Sequence, residues 1–288
     1  MKKLFTLLLS LCMVLSLAAC GGQKDMPAPV EGKTPEMEEP AAEPVELFVF
    51  AAASMTETMD QIIELYKSVA PNVTITPTYD SSGTLLTQIK EGADCDLFIS
   101  AAPKQINALD GSLKDDADKN PDGLDMIVQD SRLDLLENKV TLVVPEGNPK
   151  GIETFDQLAE LLKSGDVMLA MGNSDVPVGQ YTQKIFASYE IDEAAIASKL
   201  TYGSNVKEVT TQVSEGTVDC GIIYATDAFS AGLTVVDAAA AEMCGQVIYP
   251  AAVLNGSQHL DEAQAFLDYL TGSEASAVFE SVGFTALQ

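Results

Sequence analysis

The sequence predicts an α/β protein whose mature body forms two lobes, each a mainly parallel sheet flanked by helices. Three observations lead there. From Val45 onward, β-branched and aromatic runs alternate with stretches of helical spacing, as parallel β-α units do. A second series of the same kind begins at Val140. An apolar run over 247–254, followed by two helical stretches, then carries the chain back. This order assigns residues 46–141 and 247–288 to the first lobe and 142–246 to the second.

The N-terminus precedes the fold. Lys2 and Lys3 form a basic region, Leu4 to Ala19 is apolar, and Leu17-Ala18-Ala19-Cys20 closes it. Residues 1–19 read as a secretory signal peptide, too short and too one-sided in its flanks for a permanent span. A small-residue site ending in cysteine resembles the bacterial lipobox, which implies that Cys20 becomes the acylated first residue; a plain signal with an incidental cysteine is the alternative. Buried lipid methylenes, worth ~0.8 kcal/mol each, would hold the protein extracytoplasmically on the outer face of the cell membrane. Residues 20–45 are rich in Pro, Glu, Ala and Gly without apolar periodicity. Such a segment buries too little surface to offset its ordering entropy and reads as a disordered tether.

Charge narrows the partners. Sixteen Lys and Arg stand against 43 Asp and Glu, a net charge of −27. Losing Lys2 and Lys3 makes it more negative still, which excludes nucleic acid and anionic lipid as partners. No catalytic set emerges: His259 is the single histidine, and there is no Gly-x-Ser-x-Gly elbow, P-loop or dinucleotide fingerprint. Neither an enzyme nor a cofactor is expected. Cys95, Cys220 and Cys244 show no zinc spacing, and a Cys220–Cys244 disulfide is left open.

Taken in order, Val45–Ala52 reads as a buried strand and Ser54–Val69 as a helix with Met55, Met59, Ile62, Ile63 and Tyr66 on one face. A strand over 73–79, a helix over 83–91 and a strand over 96–101 follow. In the loose stretch 111–131, Asp118-x-Asn120-x-Asp122-Gly123 copies the first half of a calcium loop, but Gln129 replaces the closing Glu. It reads as a solvated acidic loop. The second series gives strands over 140–144, 167–170 and 220–224, with helices over 155–162, 180–189 and 206–215. Helices over 260–270 and 273–281 end the chain.

Two stretches carry candidate chemistry. Phe50-Ala-Ala-Ala-Ser54 and Tyr79-Asp-Ser-Ser-Gly-Thr84 each end a strand in small hydroxyl residues and then turn helical. Serine hydroxyls and free backbone N–H groups thereby meet the positive ends of two helices, at the carboxyl edge of the sheet where ligands of such folds sit. A small oxyanion suits that setting. Plainer readings stand beside it: Ser54-x-x-Glu57 is also a capping box, Ser82 a helix cap and Tyr224 a strand-end packing residue.

Phe50–Ser54, Ser81-Ser-Gly-Thr-Leu85 and Ala93-Asp-Cys-Asp-Leu-Phe-Ile-Ser-Ala101 resemble the periplasmic molybdate-binding proteins of ABC importers. So do Val176-Pro-Val-Gly179 with Tyr181, Asn205-Val206-Lys207, and Gly221-Ile-Ile-Tyr224 followed by Asp227 and Ala228. The fragments run in family order over nearly all of 46–288. The resemblance implies a two-lobed type-II periplasmic-binding-protein fold, monomeric, that closes a cleft on molybdate or tungstate and delivers it to an ABC permease. Position by position, it implies Ser54 and Ser82 as hydroxyl and N–H donors, Val178 and Val206 as backbone N–H donors, and Tyr224 as a phenol donor. Glu57 is then expected to face solvent. Gly83, the acidic loop at 111–131 and Val178 depart from the family pattern. A receptor for sulfate or phosphate, or an exported lipoprotein enzyme, are the rival readings.

Overall fold

In the computed structural model, which describes residues 43–287, the chain enters on the expected strand, β1 (Val45–Ala52). The signal peptide, Cys20 and the tether up to residue 42 lie outside the described residues. A 3-10 turn at Ala53–Met55 leads into α1 (Thr56–Tyr66), which buries Met59, Ile62 and Tyr66. Spacings of three and four residues put these side chains on one face. Then come β2 (Val73–Asp80), α2 (Ser82–Lys90), β3 (Leu97–Ile99) and the short α3 (Pro103–Asn107).

The chain changes sheet within three residues. β4 (Leu133–Asn138) and β5 (Val140–Val144) are separated by Lys139 alone, yet they belong to different sheets. Val140 pairs with Tyr224 and Thr141 with Ile223, so the second sheet begins two residues before the boundary expected from sequence. After β5 come α4 (Phe155–Ser164), β6 (Leu169–Gly172), α5 (Pro177–Ser188), β7 (Leu200–Gly203) and α6 (Val206–Ser214). β8 (Cys220–Tyr224), α7 (Ala225–Ala231), β9 (Thr234–Ala238) and α8 (Ala241–Cys244) complete that series. The chain returns on β10 (Val247–Val253) and ends in α9 (Leu260–Leu270), α10 (Ser273–Ser281) and β11 (Thr285–Ala286).

The first sheet has the order β11-β4-β10-β3-β1-β2 and the second β7-β6-β8-β5-β9. Both are mixed. β1 pairs in parallel with β2 and β3, and β6 with β7 and β8, as β-α alternation requires. The strands next to the crossovers, β4, β5 and β10, pair antiparallel with their neighbours. All three thiols among the described residues, Cys95, Cys220 and Cys244, are free and buried, so the disulfide left open by the sequence is not formed. Among the described residues no helix is long and apolar enough to cross a membrane.

Candidate functional site

The carboxyl ends of β1, β2, β3, β6, β7 and β8 converge on one small cavity. Ala52, Ala53 and Ser54 line it after β1, Asp80, Ser81 and Ser82 after β2, and Ala101 after β3. Val176, Pro177, Val178, Val206 and Tyr224 close it from the second lobe. All five residues singled out in the sequence, Ser54, Ser82, Val178, Val206 and Tyr224, are on this wall. The space open to the centre of a water-sized sphere is only about 10 Å³, so the lobes stand shut around it.

Each donor is placed by its local structure. Ser81, not Ser82, caps α2: its Oγ accepts from the Thr84 N–H at 3.1 Å. Ser82, fully buried, is left for another task, and its Oγ accepts from the Ala101 N–H at 3.0 Å. Ser54 sits in the 3-10 turn, where no side chain caps the helix, and its Oγ lies 2.8 Å from the Tyr249 hydroxyl. α5 starts three residues before the position read from sequence, because Pro177 at its first position has the helical φ and no N–H to satisfy. The Val178 N–H therefore falls in the first turn, without an intrahelical acceptor. A Cβ on Gly179 would stand 2.2 Å from the Asn173 carbonyl oxygen, so this turn can pack on the preceding loop only with glycine there. Val206 opens α6 behind the Asn205 cap, whose Oδ1 accepts from the Glu208 N–H at 3.1 Å.

Tyr224 is the informative member. Its ring packs edge-on against Tyr249 and Tyr181, and its hydroxyl, buried, has no hydrogen-bond partner among the described residues. A buried unpaired hydroxyl costs about 1–3 kcal/mol. Burial pushes the ionisation of Tyr224 and of Tyr249 well above the ordinary phenol value, so both remain protonated donors.

The rim adds a contact that the sequence did not show. Glu57 is exposed and does not fold back on Ser54, as expected, but it has a partner there: Lys207 Nζ in α6 lies 2.8 Å from both of its carboxylate oxygens. An opposite charge from across the cleft thus meets a carboxylate that stays solvent-exposed. Lys207 also forms an ion pair at 3.4 Å with Oδ1 of the buried Asp227 in its own lobe. Burial raises the Asp227 carboxyl to about 6, with Lys207 pulling it back. Two more contacts join the lobes. Asn205 Nδ2 donates to Asp80 Oδ1 at 3.4 Å, and Gly83 abuts Asp175, whose carbonyl oxygen a Cβ at 83 would meet at 2.1 Å.

Sequence reasoning missed Asn138 and Tyr249, which stand behind Ser54; their strands offer no local signal for it. It quoted Lys207 and Asp227 without giving them a role. The half-calcium loop is the exposed acidic loop expected from sequence, with Asn120 alone of residues 118–123 buried. The buried Asn120 amide donates to the carbonyls of Asp110 and Leu124, and Asp122 pairs with Lys90. No cluster of His, Cys, Asp or Glu among the described residues is suited to a metal ion.

Comparison with known proteins agrees with this architecture. A provisionally assigned ABC transporter substrate-binding lipoprotein of Bacillus subtilis, YvgL, is 34% identical over 84% of this chain and 87% of its own length. The molybdate-binding protein ModA of Escherichia coli K12 is 32% identical over 82% of this chain and 88% of its own. The solved periplasmic molybdate-binding protein of Azotobacter vinelandii superposes with a TM-score of 0.67 at 18% identity, covering 84% of this chain and all of that one, a likeness of fold. The family model described as bacterial extracellular solute-binding protein matches residues 47–285, and the chain belongs to that family.

Proposed function

We infer that this protein is the extracytoplasmic receptor for molybdate and tungstate of an ABC importer, held at the membrane by a lipid on Cys20. The observation that carries the reading is the set of neutral donors turned on one closed cavity, among them the unpartnered Tyr224 hydroxyl. A tetrahedral dianion offers acceptor oxygens only, so inward hydroxyls and N–H groups replace its hydration shell. With no Arg or Lys on the cavity wall, the empty cleft buries no unpaired cation there. Relatives named for molybdate binding support molybdate as the anion.

Thermal melting with molybdate, tungstate, sulfate and phosphate tests the reading. A ligand that binds only the folded state adds RT ln(1 + [L]/Kd), ~2.7 kcal/mol at a hundred-fold excess over Kd. Molybdate and tungstate should raise the melting temperature at micromolar concentrations. A shift with sulfate or phosphate and none with molybdate would move the assignment to another oxyanion; turnover of ester substrates would revive the enzyme reading.

A further inference from the structure

One residue on the cavity wall is ill suited to an anion. Asp80, the last residue of β2, stands there beside Ser81 and Ser82. Its Oδ1 accepts from the Ser81 N–H at 2.6 Å and, across the cleft, from Asn205 Nδ2 at 3.4 Å. Asn205 meets it with the donor end of its amide, because its own Oδ1 is occupied by the Glu208 N–H at 3.1 Å. Ser81 caps α2 and Asn205 caps α6, so the Asp80 carboxylate sits by the positive ends of both helices, where an external anion would be drawn. It is half-buried, and no Lys or Arg among the described residues pairs with it. Lys207, two positions beyond Asn205, is committed to Glu57 and Asp227. The negative charge at the wall is therefore left uncompensated.

We propose that Asp80 sets the affinity and the charge preference of the site: its carboxylate opposes a bound oxyanion in proportion to that anion's charge. The inference rests on the anion-receptor reading and deepens it. Two effects of opposite sign meet at Asp80. Its bond to Asn205 ties the lobes and favours closure, but that bond is long, and a neutral amide oxygen in the same place would make it too. Its charge acts on whatever enters the cavity. Coulomb energy scales with the product of the charges and falls slowly with distance, and a space this small leaves little room for water or salt to screen it. The charge therefore outweighs the tie. A dianion is held less tightly than the surrounding donors alone would hold it, and is released the faster for it.

Molybdate and perrhenate provide the test, because both are tetrahedral oxyanions and the first carries twice the charge of the second. Titration calorimetry at constant ionic strength, with perrhenate read by displacement of molybdate, would compare the wild type with Asp80→Asn. Glu280→Gln, an exposed acid of α10, controls for the change in total charge. Asp80→Asn keeps an oxygen for both hydrogen bonds and loses only the charge. It should tighten molybdate about ten-fold and perrhenate by no more than about three-fold, since halving the anion's charge halves the repulsion. Glu280→Gln should change neither. Perrhenate gaining as much as molybdate, the same gain in Glu280→Gln, or no gain for molybdate would each overturn the proposal and leave Asp80 as a clasp between the lobes. Should Asp80→Asn melt too low to titrate, Asp80→Ala removes the same charge and is read by the same ratio of gains. A wild type that binds no molybdate overturns the receptor reading itself, whereas one that binds it and is unmoved by Asp80→Asn overturns this inference alone.

Discussion

Lys207 of the second lobe holds Glu57 of the first, its Nζ 2.8 Å from each carboxylate oxygen, on the rim of the cavity. The same ammonium faces the buried Asp227 at 3.4 Å. One side chain thus serves an exposed carboxylate across the cleft and an interior one on its own side, and the two should respond differently to substitution.

Glu57→Gln should weaken molybdate binding only two- to three-fold, since an ion pair this exposed contributes about 0.5 kcal/mol. The loss should fade at high salt. Lys207→Met should cost more, because it also strips Asp227 of its cation. Calorimetry at low and high ionic strength separates the two contributions; equal, salt-independent losses would argue against an electrostatic latch.

Asp227 makes stability depend on pH with an unusual sign for a carboxylate. Its folded value stands near 6 against 3.8 for a free aspartate, because burial outweighs the pull of Lys207, and Glu57 pushes the same way as burial. Between about pH 4 and pH 6 the native state therefore holds a proton that the unfolded chain has released. Stability should fall as pH rises through that window, by on the order of 3 kcal/mol. Asp227→Asn should raise the melting temperature at pH 7.5 and leave it nearly unchanged at pH 4. A difference that grows toward acid would refute the assignment.

Tyr224→Phe should separate stability from binding. It removes an unpaired buried hydroxyl, so the empty protein should be as stable or more stable, by up to about 1 kcal/mol. The molybdate-induced rise in melting temperature should shrink in the same variant. Loss of stability without ligand would mean that the hydroxyl has a partner in solution.

Gly83→Ala should hold the lobes apart. The added carbon would stand 2.1 Å from the Asp175 carbonyl oxygen, a distance that backbone on both sides cannot absorb. Small-angle scattering with and without molybdate should show compaction of the wild type and little in the variant, with affinity reduced more than ten-fold. Unchanged compaction would place the lobes differently at this contact.

Much of this was legible in the sequence where local patterning decides the outcome. β1, β5 and β8 are continuous β-branched or aromatic runs, and α9 and α10 have clear apolar faces, so their limits match the sequence reading. β7 and β9 were missed because they are short and half exposed, with pairing rather than composition holding them. The start of α5 was misplaced because Val176-Pro-Val-Gly179 reads as a loop until Pro177 is seen as a first-turn residue. At the site, Ser54 and Ser82 announce themselves by position at strand ends, whereas Val178 and Val206, proposed as backbone donors, were selected by resemblance alone. Tyr249 and Asn138 could not be found locally: they lie 195 and 111 positions from their partners Ser54 and Tyr249 along the chain.

The cavity wall carries no cation, while the whole chain bears a charge of −27. Any attraction for an anion is therefore confined to contact, and at longer range the protein repels the oxyanion proposed as its ligand. Recognition begins only after the anion has diffused against that field and shed its water. Added salt should accordingly quicken capture, by screening the repulsion, while leaving the rate of release almost untouched. A receptor lined with arginine would show the opposite.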